Sequence, residues 1–221
     1  MTMGERDFRQ VINNALKGVG RELDLQVDLS DNKIFYIQEI VGCLRRSYYD
    51  RTDPIEKKHE NFHNFLSGLF RKSEFGSKVG QYDLNDLKLK AQADLIIDDV
   101  VLIFRSVEEF PEIPHPSDML YLNACLFVFD KFDGIIIYIS PDGSETSFVA
   151  TKQKKMFEES IRRVSVLSDL LTQKRTPILE PSTECTSCQY YQRCYIKTKI
   201  GKLPIDMGKM DFDSFFGLGK K

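Results

Sequence analysis

A chain of 221 residues, 42% of them hydrophobic, is long enough for one α/β domain with a core of its own. Its 31 Lys and Arg residues balance 33 Asp and Glu residues, so net charge neither favours nor excludes nucleic-acid binding, and any basic surface must be local. The first residues lack a signal-peptide pattern and no apolar run is long enough to span a membrane, which predicts a cytoplasmic protein.

Helical periodicity opens the chain. One amphipathic helix is predicted from hydrophobic residues at helical spacing: Phe8, Val11, Ile12, Ala15, Leu16 and Val19. After a polar connector, Ile34 to Tyr49 is predicted as a second helix, with Cys43 inside it and Arg45, Arg46 and Tyr48 close behind. Arginine beside tyrosine can contact phosphates and stack on bases. The alternative is a solvated basic turn whose tyrosines pack against the protein.

A third helix is predicted from Ile55 to Phe70, because Pro54 suits a first helical turn and the hydrophobic residues that follow share one face. His59 and His63 lie on this helix, four residues apart. The carboxylate and third ligand of a zinc protease are missing around them, so that class of site is excluded.

Two strands rich in branched aliphatic residues are predicted next, Leu87 to Ile97 and Val100 to Val107, joined by a tight turn of two aspartates. Folding about this turn sets Asp94 opposite Ile103. Because strand side chains alternate between faces, Asp94, Ile103 and Arg105 are predicted to share one face.

The second half of the chain continues the alternation of helices and strands. A helix is predicted around Tyr121 and Cys125, and Cys125 is interpreted as a small buried hydrophobe. Gly134 to Ile139 is predicted as a buried strand with Glu145 to Ala150 as its hairpin partner. Lys152 to Gln173 is predicted as a long helix whose cations form either a solvated face or a phosphate-binding patch.

Three cysteines lie close together after the long helix, in the pattern Cys185-x-x-Cys188-xxxxx-Cys194. With the distant Cys43 they form a four-cysteine set that can supply four thiolates to one structural zinc ion or one iron-sulfur cluster. Spacing alone does not choose between these metals. In a cytoplasmic protein, cysteines clustered in this way indicate metal ligands rather than disulfides.

The composition changes near the end to Gly, Lys, Met and Asp, which predicts a C-terminal tail over residues 200–221. Phe212, Phe215 and Phe216 have the spacing of one hydrophobe followed by two aromatics. This pattern resembles the sliding-clamp (PCNA) interacting peptide, which inserts three such side chains into one pocket, although Lys209 stands where that motif usually has Gln. The alternative is a tail that packs back on its own domain.

One early cysteine combined with the late CxxCxxxxxC pattern, and with the run Cys43-Leu44-Arg45-Arg46-Ser47-Tyr48-Tyr49, resembles the iron-sulfur motif of RecB-family nucleases. The similarity is greatest to the CRISPR-associated RecB-like exonucleases, and it covers about Tyr36 to Cys194. It implies a restriction-endonuclease-like α/β fold over residues 34–199, preceded by a helix and connector over residues 1–33. In that fold a mixed sheet is flanked by helices and clasped by a [4Fe–4S] cluster on the four-cysteine set, with zinc as the alternative.

The resemblance also implies where the active site of a nuclease would be, and there the sequence departs from the family. In these PD-(D/E)XK nucleases one strand supplies an aspartate and the next an acid-x-lysine; the acids hold the metal that activates water. Asp94 matches the aspartate, but Ile103 and Arg105 occupy the acid and lysine positions. Isoleucine offers a hard cation no lone pair, and arginine cannot lose a proton.

Other positions of the family motif have also changed. Tyr121 and Cys125 stand where the family has Gln and Tyr, and only a relocated Glu108 or Glu109 offers a substitute acid. The resemblance implies that His59 or His63 is the counterpart of a helix histidine in the metal-dependent members, and the alternative is an ordinary histidine on a helix surface.

These observations lead to one hypothesis and two alternatives. The leading hypothesis is a catalytically degenerate RecB-like iron-sulfur protein that acts as a DNA-binding or adaptor factor in replication and repair. In it Asp94 is a remnant of the active site, Arg45, Arg46 and Tyr48 contact DNA, and the tail binds the sliding clamp. The first alternative is a metal-dependent DNA exonuclease that uses Mg²⁺ or Mn²⁺. The second is a structural interaction subunit without DNA contact.

Overall fold

The computed structural model describes residues 29–55 and 78–200. Its strands are β1 (Ile34–Tyr36), β2 (Lys78–Leu84), β3 (Leu87–Ala93), β4 (Leu95–Ile97), β5 (Val100–Ser106), β6 (Asp133–Ile139) and β7 (Glu145–Thr151). Its helices are α1 (Ile37–Val41), α2 (Leu44–Thr52), α3 (Pro116–Val128), α4 (Lys154–Thr172) and α5 (Tyr191–Ile200), with a 3₁₀ helix at Thr183–Ser187. The chain divides into two compact units, Met1–Ile178 and Leu179–Lys221.

Two mixed sheets form the centre of the first unit. One has the strand order β1-β3-β2, in which β1 runs parallel and β2 antiparallel to β3. The other has the order β4-β5-β6-β7, in which only β5 and β6 run parallel. Helix α3 contacts strands of both sheets and also packs against α4. The predicted α/β class, with mixed sheets flanked by helices, is therefore confirmed.

The parallel pair β5 and β6 supplies much of the core. Val101, Ile103, Ile136 and Tyr138 are fully buried on these strands, as expected for parallel strands covered on both faces. A Cβ atom placed on Gly134 would lie 2.6 Å from the Leu122 side chain, so the glycine lets α3 approach β6 closely. The predicted strand Gly134 to Ile139 and its hairpin with β7 are both confirmed.

The predicted strand from Leu87 to Ile97 is wrong in one respect: the structure divides it into β3 and β4, which belong to different sheets. The division falls at Asp94, whose carboxylate accepts the backbone N–H of Phe104 at 2.9 Å and so replaces a ladder bond with a side-chain bond. The predicted hairpin register is confirmed, with Leu95 opposite Leu102. Asp98 in its turn has φ 52°, a conformation that aspartate tolerates.

The prediction that Cys43 lies inside a helix is also wrong. Its segment starts as strand β1, because Ile34, Phe35 and Tyr36 pair with β3. Helix α1 then ends at Val41, Gly42 is extended, and Cys43 occupies the N-cap position of α2. The cysteine therefore sits at a corner between two helices.

Several sequence predictions concern residues outside the described ranges. These are the N-terminal helix, the helix carrying His59 and His63, and the tail with Phe212, Phe215 and Phe216. The three regions 1–33, 34–199 and 200–221 stay predictions. Within the described ranges, no helix combines the length and hydrophobicity needed to cross a membrane.

Candidate functional site

Asp94 lies at the break between the two sheets and is buried, with 5% of its side chain exposed. Its Oδ2 atom accepts the Phe104 N–H and lies 3.7 Å from a terminal guanidinium nitrogen of Arg105. The β3–β4 break therefore turns the aspartate towards β5, where the neighbouring strand supplies both of these groups.

Arg105 is the central residue of the site. Its Nε donates to Asp118 Oδ1 at 2.7 Å, its NH1 donates to the Phe104 carbonyl at 2.9 Å, and its guanidinium lies 4.6 Å from the centre of the Tyr121 ring. Burial alone lowers the pKa of Arg105, but the negative charges of Asp94 and Asp118 outweigh it and raise the pKa. Arg105 is therefore a fixed cation between two carboxylates.

Asp118 lies in the first turn of α3, and both of its carboxylate oxygens accept a hydrogen bond, Oδ1 from Arg105 and Oδ2 from Tyr138. The Tyr138 hydroxyl donates to Asp118 Oδ2 at 2.8 Å and accepts the His115 N–H at 2.9 Å. Burial raises the pKa of Tyr138, with the Asp118 charge adding to the shift, so this hydroxyl stays protonated. We call Asp94, Arg105, Asp118, Tyr121 and Tyr138 the Arg105 cluster.

Two members of the Arg105 cluster were missed in the sequence. Asp118 follows Pro116 in a first helical turn, where acidic residues are ordinary because they complement the helix dipole. Tyr138 sits within a hydrophobic strand. Neither position stands out in the sequence, because the contacts that assemble the site join residues 13 and 20 positions apart.

Position 103, where the family resemblance places the second acid, carries a hydrophobic side chain. Ile103 is completely buried and pairs with Ile136 across the parallel ladder. Glu108 and Glu109, the candidate substitute acids, are exposed residues that follow β5. Asp118, rather than either glutamate, is the second carboxylate bonded to Arg105.

Tyr121 and Cys125 both reach the strand that leads to Asp94. The Tyr121 hydroxyl donates to the Gln92 carbonyl at 2.7 Å, and the Cys125 thiol lies 3.7 Å from the same oxygen. Burial raises the pKa of Cys125 and the Asp94 charge raises it further, so Cys125 is held as a neutral thiol. These α3 residues fix the β3 end of the site.

The cysteines all lie within the described ranges, and none of them forms a disulfide. In the second unit, Cys185 accepts the Ser182 N–H at 3.4 Å, and this bond lowers the pKa of its thiol. Cys188 donates its N–H to the Cys185 carbonyl at 3.2 Å, and Cys194 is buried on α5. Among the described side chains, no group of three or more His, Cys, Asp or Glu residues is positioned to hold a metal ion.

The three residues predicted to contact DNA lie together on α2. Tyr48 is buried, Arg45 donates to the Tyr49 hydroxyl at 3.3 Å, and Arg46 is about half exposed and lies 4.0 Å from Asp50. Of the three, Arg46 has the most accessible charge. Their role in DNA contact stays a prediction.

Comparison with known proteins identifies the fold. The described architecture is similar to the crystal structure of SSO0001, with a TM-score of 0.52 and 17% identity over 86% of this chain and 94% of that one. It is also similar to an exonuclease-like protein from Eubacterium rectale, with a TM-score of 0.50 and 9% identity over 90% of this chain and 100% of that one. An alkaline exonuclease from Laribacter hongkongensis matches with a TM-score of 0.44 and 11% identity over 64% of this chain and 89% of that one.

No family model and no curated protein sequence matches the chain. The similarities to SSO0001 and to the Eubacterium rectale protein show that this chain shares the fold of these two proteins. At these identities they establish the fold alone.

Proposed function

We propose that this chain is a catalytically inactive RecB-like protein that acts as a DNA-binding or adaptor factor in replication and repair. One observation carries the proposal: the guanidinium of Arg105 lies between Asp94 and Asp118, at the break between the two sheets. The RecB-like resemblance of the sequence implies a metal ion beside Asp94 in an active nuclease.

The chemistry of the Arg105 cluster opposes metal-dependent cleavage. A divalent cation needs several oxygen ligands, but both carboxylates here are already engaged by a monovalent cation that is part of the chain. Ile103 adds no oxygen, and Arg105 cannot act as a base because its pKa is raised from an already high value. A metal ion could enter only if Arg105 left its two carboxylate partners. The metal would then add a second positive charge beside the guanidinium.

A nuclease assay tests this proposal. Labelled single-stranded and duplex DNA should remain intact in Mg²⁺ or Mn²⁺, to the same extent with the wild-type chain as with Asp94→Ala. Titration calorimetry with Mn²⁺ should detect no binding that depends on Asp94. Cleavage that disappears in Asp94→Ala would instead favour the metal-dependent exonuclease, in which Asp94 and a relocated glutamate survive.

A [4Fe–4S] cluster on Cys43, Cys185, Cys188 and Cys194 is the second part of the proposal. The support for it is the type of side chain: all four are thiols outside disulfides, and Cys185 accepts an N–H bond of the kind that stabilises a thiolate sulfur. Among the described side chains, however, no three of them are positioned to hold one metal ion. Such a cluster would supply a structural clip between distant parts of the chain. Zinc is the alternative occupant of the same thiolates.

The third part of the proposal concerns partners. The spacing of Phe212, Phe215 and Phe216 supports binding to a sliding clamp, and Arg45, Arg46 and Tyr48 support a DNA contact on α2. A structural subunit without DNA contact remains the competing function. A DNA-binding titration at several salt concentrations separates the two, because phosphate contacts weaken steeply with salt.

A further inference from the structure

Two consecutive tyrosines at the start of α5 have opposite environments. Tyr190 is fully buried, whereas 45% of Tyr191 is exposed. Backbone bonds fix both residues in place. The Tyr191 N–H donates to the Cys188 carbonyl at 2.9 Å, and the Tyr190 carbonyl accepts the Cys194 N–H at 2.9 Å. The start of α5 therefore packs through Tyr190 and leaves the ring of Tyr191 at the surface.

Tyr195 lies against Tyr191, because side chains four residues apart share one face of a helix. The centres of the two rings are 4.7 Å apart and their planes differ by 31°, so the rings are stacked at a tilt. Burial and a side-chain hydrogen bond with the Cys185 thiol raise the pKa of Tyr195. The Tyr195 ring is thus held at its hydroxyl end and supports one face of the Tyr191 ring. We call Tyr191 and Tyr195 the tyrosine pair.

The sequence around the tyrosine pair is basic. Residues 185–205 include no Asp or Glu, but they include four cations: Arg193, Lys197, Lys199 and Lys202. The whole chain has a net charge of −2, so this basic segment is a local departure from its composition. Cations attract phosphates and aromatic rings stack on bases, which is the combination found in proteins that bind single strands.

The exposed ring favours a single strand over a duplex as its ligand. In a duplex each base is covered on both faces by its neighbours, and unstacking it has a cost. A base of a single strand is free to stack on a protein ring instead. A base placed on Tyr191 would extend the stack of the tyrosine pair by one ring.

We propose that the tyrosine pair is a base-stacking site for single-stranded DNA, in which Tyr191 contacts the base and the basic segment around it attracts the phosphates. This inference rests on the DNA binding proposed above and adds a contact residue outside α2. The residues that form the site all lie in the second unit, and the site requires no bound metal.

Fluorescence anisotropy with two labelled strands tests the site: oligo-dT, and a strand of the same length with abasic sites in place of its bases. The full-length proteins are wild type, Tyr191→Leu, Tyr191→Phe and Gln192→Ala, the last at an exposed neighbouring position of α5. We expect Tyr191→Leu to bind oligo-dT on the order of 10-fold more weakly than wild type, because leucine has no ring on which a base can stack. Tyr191→Phe and Gln192→Ala should match wild type. All four proteins should bind the abasic strand equally, and Tyr191→Leu should keep the wild-type salt dependence, because stacking releases no counterions.

The outcomes separate this site from DNA binding in general. A wild-type chain that binds neither strand would overturn the proposed DNA binding and the tyrosine site together. If Tyr191→Leu binds oligo-dT as tightly as wild type while Arg46→Gln binds it more weakly, the tyrosine site alone is refuted and the contact lies on α2. An equal loss of affinity for both strands in Tyr191→Leu would also refute base stacking. If Tyr191→Leu does not fold, the wild type decides: a strand carrying 5-bromodeoxyuridine should cross-link to Tyr191 under ultraviolet light, and cross-links found only at other residues refute the site.

Discussion

Replacing Arg105 with methionine should strongly destabilise the protein. Methionine keeps most of the length of the side chain but removes its charge and its N–H groups. Asp94 and Asp118 would then be buried carboxylates without their cation, because 5% and 14% of their side chains are exposed. Asp94 would keep the Phe104 N–H, and Asp118 would keep the Tyr138 hydroxyl.

The distances set the size of the effect. At an effective dielectric of about 20, a charge separation of 3.7 Å corresponds to a gross attraction of about 4 kcal/mol, and one of 2.7 Å to about 6 kcal/mol. Desolvation of the buried arginine offsets much of this attraction. Removing one partner of a buried ion pair typically costs about 3–5 kcal/mol, which is the loss we expect in the free energy of unfolding at neutral pH.

Urea unfolding of four proteins measures this loss: wild type, Arg105→Met, Asp94→Asn and the double variant. Arg162→Met, at an exposed position of α4, is the matched control, and we expect it to change stability by no more than about 0.5 kcal/mol. The cost of Arg105→Met should shrink in the Asp94→Asn background, because one orphaned charge is gone. If Arg105→Met were as mild as Arg162→Met, or if its cost were independent of Asp94, the Arg105 cluster would not be the ion-pair network described here.

Three further predictions concern the proposed iron-sulfur cluster, the C-terminal tail and the buried thiol of Cys125. Protein purified without oxygen should be brown, absorbing at roughly 400 nm with iron and sulfide bound; a colourless protein with one zinc would refute the iron assignment. Removing residues 209–221, or replacing Phe215 and Phe216 with alanine, should abolish a roughly micromolar affinity for the sliding clamp in calorimetry while leaving the melting temperature unchanged; no heat with the intact chain would exclude the clamp as partner. Burial raises the pKa of Cys125 above its ordinary 9.0, so its stabilising contribution is complete below that pH and is lost as the pH rises towards the folded-state pKa. Stability should fall by up to about 1.4 kcal/mol per pH unit above pH 9, and Cys125→Ala should have a shallower slope between pH 9 and 10.5.

Much of the fold was predictable because it depends on local patterns. The pattern of alternating and branched hydrophobic residues predicted β5, β6 and β7. The turn at Asp98 and Asp99 predicted the register in which β4 pairs with β5. The helical spacing from Lys152 to Gln173 predicted α4 to within two residues at its start and one at its end. In each case the residues that decide the element lie inside it.

The errors in the prediction arise where distant contacts decide the local backbone. The break at Asp94 depends on a bond to Phe104 across the hairpin. The corner at Cys43 depends on pairing of β1 with β3 and on Arg163 of α4. Asp118 and Tyr138 enter the candidate site through tertiary contacts alone, so no spacing rule identifies them.

The residue types at positions 94, 103 and 105 depend on one another. A buried aspartate without a bound cation would carry an uncompensated charge, and Arg105, two residues after Ile103, supplies a permanent cation in reach of Asp94. With Arg105 in that place, an acid at position 103 would add a third carboxylate to a cluster that already has two for one guanidinium. Isoleucine, which is fully buried opposite Ile136 in the parallel ladder, is therefore the stable choice. Ile103→Glu alone should therefore destabilise the fold without creating a metal site. We expect the double variant Ile103→Glu with Arg105→Lys to bind Mn²⁺ only when Asp118 no longer bonds the side chain at position 105. Calorimetry with Mn²⁺ on this double variant, with and without the added Asp118→Asn, would reveal whether that bond prevents metal binding.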